Sequence, residues 1–103
     1  EADPQFDASW FEGIIEAALS DLHEEHAEQH RILQAQIQAP SASHAELAET
    51  LQITVGQVRV GLHRARGRLN RAVRAQLRRY VSSQEELDEE IACMVRILGA
   101  FPG

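Results

Sequence analysis

Residues 55–80 constrain this chain more than any other stretch. Apolar side chains recur there by threes and fours, through Val58, Leu62, Ala65, Leu69, Ala72, Val73, Leu77 and Tyr80, which places them along one side of a single continuous helix. The same stretch holds eight of the ten arginines (Arg59, Arg64, Arg66, Arg68, Arg71, Arg74, Arg78 and Arg79) and no acid. At 1.5 Å per residue such a helix would run roughly 39 Å. Any fold available to the chain must bury one side of a long rod and leave the other side cationic.

The whole chain has a net charge of −6, which by itself argues against a polyanionic partner. The distribution reverses that argument. Nine of the sixteen acids lie in residues 1–28, five lie in residues 85–90, and the other two are Glu46 and Glu49. One basic segment therefore stands between two acidic ones, and it is the local field that governs affinity for nucleic acid. Lysine is absent. Arginine offers a planar fork suited to phosphates and guanine edges, although a GC-rich genome also favours it.

A chain of 103 residues is the size of one domain with a modest core. With only six glycines and three prolines, long helices are more plausible than a turn-rich sheet. The lone Cys93 cannot form an internal disulfide, in keeping with a reducing, cytoplasmic setting. No apolar run approaches the roughly 18 residues of a membrane span, so no membrane partner is expected. The first residues lack a secretory signal pattern, and a start at Glu1 rather than Met suggests a fragment or a processed product.

The pattern predicts an all-α fold of about five helices in a single domain over 1–103. After a lead-in containing Pro4, Asp7 or Ser9 can cap a first helix, in which Trp10, Phe11, Ile14, Ile15, Ala18, Leu19 and Leu22 keep a helical period. Ile32, Leu33 and Ile37 mark a short second helix over about 30–38, so the N-terminal helices together occupy 7–38. Pro40 disfavours helix just before it. Ser43 and Glu46 have capping-box spacing and open a third helix with Leu47, Ala48 and Leu51 facing inward. Gln52, Ile53 and Thr54 make a turn, and Thr54 caps the long helix, completing a 44–80 segment. Ser83 and Glu86 repeat the capping-box spacing before an acidic amphipathic C-terminal helix within 83–98, striped by Leu87, Ile91, Met94, Val95 and Leu98. Gly99 supplies a stop.

The window from His44 to Arg66 has the layout of a helix-turn-helix. Two helices crossing over a short turn need a small residue at the contact, here Ala48, and apolar residues on both sides of the elbow, here Leu47, Leu51, Ile53, Val58 and Leu62. Counting 100° per residue from Val58 puts Val60, His63, Arg64, Gly67 and Arg71 on the far side of the long helix, flanked by Arg59 and Arg66. The N-terminal turns of a recognition helix touch bases, so the base-reading candidates are Arg59, Val60, His63 and Arg64. Thr54 and Gln57 stand at the helix N-terminus, where backbone N–H groups favour a phosphate. Arg66, Arg68 and Arg71 are placed for backbone phosphates, which add affinity without reading sequence. For Arg74, Arg78 and Arg79, pairing with nearby acids is the simpler expectation.

The run from Ala45 to Arg66 resembles region 4 of the extracytoplasmic-function sigma factors, within the sigma-70 family. The matching pieces are Glu46-Leu47-Ala48, then Ile53-Thr54-Val55-Gly56-Gln57-Val58, then Leu62-His63-Arg64-Ala65-Arg66. The acidic helix after Val81 is similar to the tail of some branches. The resemblance implies binding of the promoter −35 element in double-stranded DNA, docking on the flap of the RNA polymerase beta subunit, and in many members restraint by an anti-sigma protein. It implies that Arg59, Val60, His63 and Arg64 approach bases and that Arg66 contacts the backbone. Three positions depart from the pattern. Gln52 stands where glycine is common, so a residue with a Cβ would adopt a left-handed conformation. Gln57 replaces threonine, and Gly61 replaces a frequent cation. Region 2, which melts the −10 element, is absent from this sequence.

His23, His26 and His30 share a helix face near Glu25 and Glu28, a spacing that could hold zinc, but a solvated histidine face is the simpler expectation. Cys93 reads as a small packed residue. No Ser-His-Asp set, phosphate-binding glycine loop or paired-carboxylate pocket can be assembled, so neither catalysis, a cofactor nor a metal is expected. Two alternatives stand beside the sigma-like reading. One is an unrelated helix-turn-helix regulator, dimerising through the C-terminal helix. The other is a protein-interaction module whose basic helix is masked by its own acidic helices or by an acidic partner.

Overall fold

The computed structural model describes residues 8–98, with side chains described for residues 8–94. The fold is all-α. The helices are α1 (Ala8–Glu25), α2 (Ala27–Gln38), α3 (His44–Leu51), α4 (Val55–Leu77) and α5 (Gln84–Leu98). Asp7 as a cap, Gly99 as a stop and the side chains of Val95 and Leu98 lie outside the described residues. No helix among the described residues is long and apolar enough to cross a membrane.

The described residues form two compact units, one of residues 21–68 and one of residues 8–20 with 69–98. The unit of residues 21–68 contains the end of α1, all of α2 and α3, and the first part of α4. Its core is Leu22, Ile32, Leu33, Leu47, Ala48, Leu51, Val58, Leu62 and Ala65. In the other unit Phe11, Ile14 and Ala18 of α1 are buried, as are Leu69, Val73 and Leu77 of α4 and Leu87 and Met94 of α5. All the buried side chains are apolar, with no polar or charged residue buried among the described residues. Each large one withdraws an area worth roughly 1.5–3 kcal/mol.

Helix ends follow local chemistry. Ser43 Oγ accepts from the Glu46 N–H at 3.1 Å while the Ser43 N–H donates to Glu46 Oε1 at 2.7 Å, the full capping box expected of that spacing. At α5 the arrangement shifts by one residue. Ser83 Oγ accepts from the Glu86 N–H at 3.1 Å, but the Glu86 carboxylate takes the N–H and hydroxyl of Ser82, both at 2.6 Å. These Ser82 bonds, the hydroxyl's first, hold the Glu86 carboxyl below its ordinary range.

Three details differ from the sequence pattern. α2 begins at Ala27 rather than near residue 30, because the helix resumes directly after a single non-helical residue, His26. Ile37 keeps the apolar spacing yet is 50% exposed. α4 stops at Leu77, where the backbone tightens: Arg79 and Tyr80 donate to the carbonyls of Gln76 and Leu77, three residues back. Tyr80 is consequently exposed, with its ring edge-on to Trp10 at 5.1 Å.

Gly61 explains how closely α2 can approach α4. The residue is buried, and a Cβ built on it would lie 2.5 Å from Ile32 Cδ1. Glycine in a helix interior normally costs about 1 kcal/mol relative to alanine; here it leaves room for a neighbouring helix. Gly61→Ala should therefore fall short of that propensity gain, and Ile32→Val alone should cost about 0.5–1.5 kcal/mol. Combined, the two should couple favourably by about 0.5 kcal/mol or more, as measured by urea unfolding of the four proteins. Strict additivity would show that the contact is not limiting.

Candidate nucleic-acid interface

α3 and α4 meet over three residues, Gln52, Ile53 and Thr54, and the backbone there is specific. Gln52 has φ 61° and ψ 45°, the left-handed conformation, and no other described non-glycine residue has a positive φ. Its N–H donates to the Glu49 carbonyl at 3.3 Å, and the Ile53 N–H donates to the Ala48 carbonyl at 3.0 Å. This pair of bonds is the Schellman stop, normally built on glycine. The Gln52 side chain adds a bond of its own, Nε2 to the Glu49 carbonyl at 2.9 Å. Arg31 reaches across from α2, and its Nη2 donates to the Leu51 carbonyl at 2.6 Å while Nη1 pairs with Glu28 at 3.2 Å. The C-terminal end of α3 is thus tied to α2 by a charge-assisted hydrogen bond.

Thr54 starts α4 with a second capping box. Its Oγ1 accepts from the Gln57 N–H at 3.0 Å, and its N–H donates to Gln57 Oε1 at 2.8 Å. Gln57, a departure from the sigma pattern, keeps the box intact because glutamine reaches back as glutamate does. Thr54 and Gln57, expected to favour a phosphate, thus have these groups engaged with each other. As in any α-helix, the earliest N–H groups of α4 have no partner within the helix.

The four expected base-reading residues lie together on the outer side of α4. Arg59, His63 and Arg64 are exposed and Val60 is 48% exposed, while Val58, Leu62 and Ala65 of the same turns are buried. Thr54, Gln57, Val60 and Arg64 also line an open groove of about 570 Å³. Its other wall belongs to α2, through Glu28, Gln29 and Ile32.

The expected phosphate-binding arginines separate into two groups. Arg66 is half-buried and its Nη2 donates to Gln36 Oε1 of α2. Arg68 is half-buried and meets His26 Nε2 at 2.7 Å. Arg71 is exposed, on the part of α4 that belongs to the other unit. Farther on, Arg74 pairs with Asp88 of α5 at 3.1 Å, the expected pairing with an acid, whereas Arg78 donates to the uncharged Gln84 at 3.4 Å.

The sequence reading did not anticipate the contribution of α2. Glu28, Gln29 and Ile32 border the reading residues through contacts across the chain, and only the closeness permitted by Gly61 hints at them. Gly61 itself faces Ile32, so a cation there would have to displace α2 before reaching a phosphate. Among the described residues no group of three or more His, Cys, Asp or Glu is placed to hold a metal ion. No family model matches the chain, and neither a curated protein nor a solved structure does.

The turn yields a direct test. Gln52→Gly should raise stability by about 0.5–1 kcal/mol, since the left-handed conformation burdens residues with a Cβ and the lost side-chain bond is exposed. Denaturant midpoints of the two proteins would show it, and a less stable glycine variant would mean that the Glu49 bond outweighs the strain.

Proposed function

We propose that this chain binds promoter DNA sequence-specifically through the first half of α4, as the −35-reading region 4 domain of an RNA polymerase sigma factor. One observation carries the reading: Arg59, Val60, His63 and Arg64 stand exposed on one side of a helix whose other side is buried, directly after a three-residue turn. Arginine can bridge guanine O6 and N7, and the methyls of Val60 suit the methyl of thymine. Arg71 neutralises phosphate. The resemblance of residues 45–66 supplies the rest: a cytoplasmic role in bacterial transcription initiation, docking on the beta flap, and control by an anti-sigma protein.

A masked interaction module has its own support in the internal partners of Arg66, Arg68 and Arg74. The same titrations discriminate. Under the DNA reading, the full chain selects a consensus from random duplexes, and log affinity falls with log salt by about 0.9 per phosphate neutralised. Arg64→Ala should cost about 1–3 kcal/mol and relax the preference at one base pair. Arg71→Ala should weaken all duplexes alike and reduce the salt slope by about one. Fluorescence anisotropy measures both, and absence of binding to any duplex at low salt would reject the proposal in favour of the masked module. Binding to core polymerase separates a sigma-like domain from an unrelated regulator.

A further inference from the structure

The junction of α1 and α2 holds three of the five histidines, and the DNA reading uses none of them. α1 ends at Glu25 and α2 begins at Ala27, with His26 between them at φ −143° and ψ 66°. The corner is closed by backbone bonds from the His26 N–H to the Leu22 carbonyl at 2.7 Å and from the His30 N–H to the His26 carbonyl at 3.0 Å. The turn of the chain brings His23 of α1 against His30 of α2, with ring centroids 4.7 Å apart and planes at 72°.

His26 faces α4, where Arg68 Nη1 lies 2.7 Å from its Nε2. A guanidinium has donors only, so a hydrogen bond here requires the ring nitrogen to accept, that is, the tautomer with its proton on Nδ1. Arg68 depends on that contact, because its Nε is buried with no partner.

The surroundings disfavour a charge on His30. Burial, and then the charge of His23, hold His30 below the ordinary histidine range. The charged neighbours on α2 are Glu28 and Arg31, and that carboxylate is already paired with that guanidinium at 3.2 Å. α3 presents Thr50 and Leu51, which do not titrate, and α4 presents the cation Arg68. Glu24 and Glu25 of α1 are exposed.

We propose that this corner is an acid-sensitive latch: His26, accepting through Nε2, ties it to α4 through Arg68, and the His23 ring packs on His30; added protons on these rings would set cation against cation at both contacts and release the corner. The direction follows from linkage. For His30 the unfolded chain takes up a proton more readily than the folded one, so stability is complete above the unfolded value of about 6.5 and falls as pH drops below it. Glu86, also held low, loses its contribution only under more acidic conditions, as pH falls through its folded value. A window between about pH 7.5 and 5.5 therefore isolates the histidines.

The test is amide hydrogen exchange on the full chain across that window, corrected for intrinsic rates. Exchange at the His26 and His30 amides should accelerate about tenfold for each unit of pKa difference linked to opening. The variant His26→Gln/His30→Phe keeps an acceptor for Arg68 and a ring for His23, and its exchange should be flat with pH. His63→Gln should retain the full dependence. A flat wild-type profile, or a double variant that keeps the dependence, overturns the latch. Should the double variant fail to fold, imidazole 15N shifts of the wild-type chain at pH 7.5 decide: the Nδ1–H tautomer of His26 is required, and the Nε2–H tautomer refutes the contact.

Discussion

The unbroken apolar side of α4 is what the rest of the structure depends on. Val58, Leu62, Ala65, Leu69, Val73 and Leu77 are each no more than 4% exposed, and the first three serve one compact unit while the last three serve the other. A helix of this length would be marginal alone in water, since helices in proteins draw most of their stability from packing of an apolar face. Within each unit the stripe keeps to one side of the helix, so the positions between its members are turned away from that core, and there the chain places its cations. The burial that builds the two cores and the presentation of Arg59, His63 and Arg64 are one geometric fact.

The arginines are not equivalent once folded. Those of the first turns of α4 project into solvent, whereas Arg66, Arg68 and Arg74 are held by Gln36, His26 and Asp88. Gln36 and His26 are not carboxylates, so Arg66 and Arg68 still contribute their charge to the local field, though at fixed positions. Arg31 illustrates a third use. Its two ends join a carboxylate on its own helix to the last carbonyl of α3, and the elbow gains a strut from outside the elbow.

Much of the fold was legible because its signals are local. Ser43 with Glu46 announces a capping box within four residues, and the left-handed Gln52 is expected from the resemblance, which puts glycine at that position. The stripe of α4 is equally plain, since its period persists across two cores. Some missed features are local, such as the start of α2 at Ala27 and the stop of α4 at Leu77; the others involve residues distant in sequence. Nothing near Ile37 says that its apolar side chain stays outside, and nothing near Tyr80 says that Trp10 lies against it. Gly61 looked like a lost cation from its neighbours alone; only Ile32, on another helix, reveals the space it must leave. The same holds for the candidate interface, whose exposed residues on α4 were visible in the periodicity while the α2 wall was not.

The shared wall has a consequence for how such a surface diversifies. Residues on α4 are doubly constrained, because any change in phase between Val58 and Ala65 disturbs a core. Glu28 and Gln29 carry no such obligation toward the stripe, yet they border the same groove as Val60 and Arg64. A lineage could therefore alter the groove at Gln29, on a helix outside the α4 stripe, leaving the scaffold's register untouched, whereas Glu28 is also the partner of the Arg31 strut.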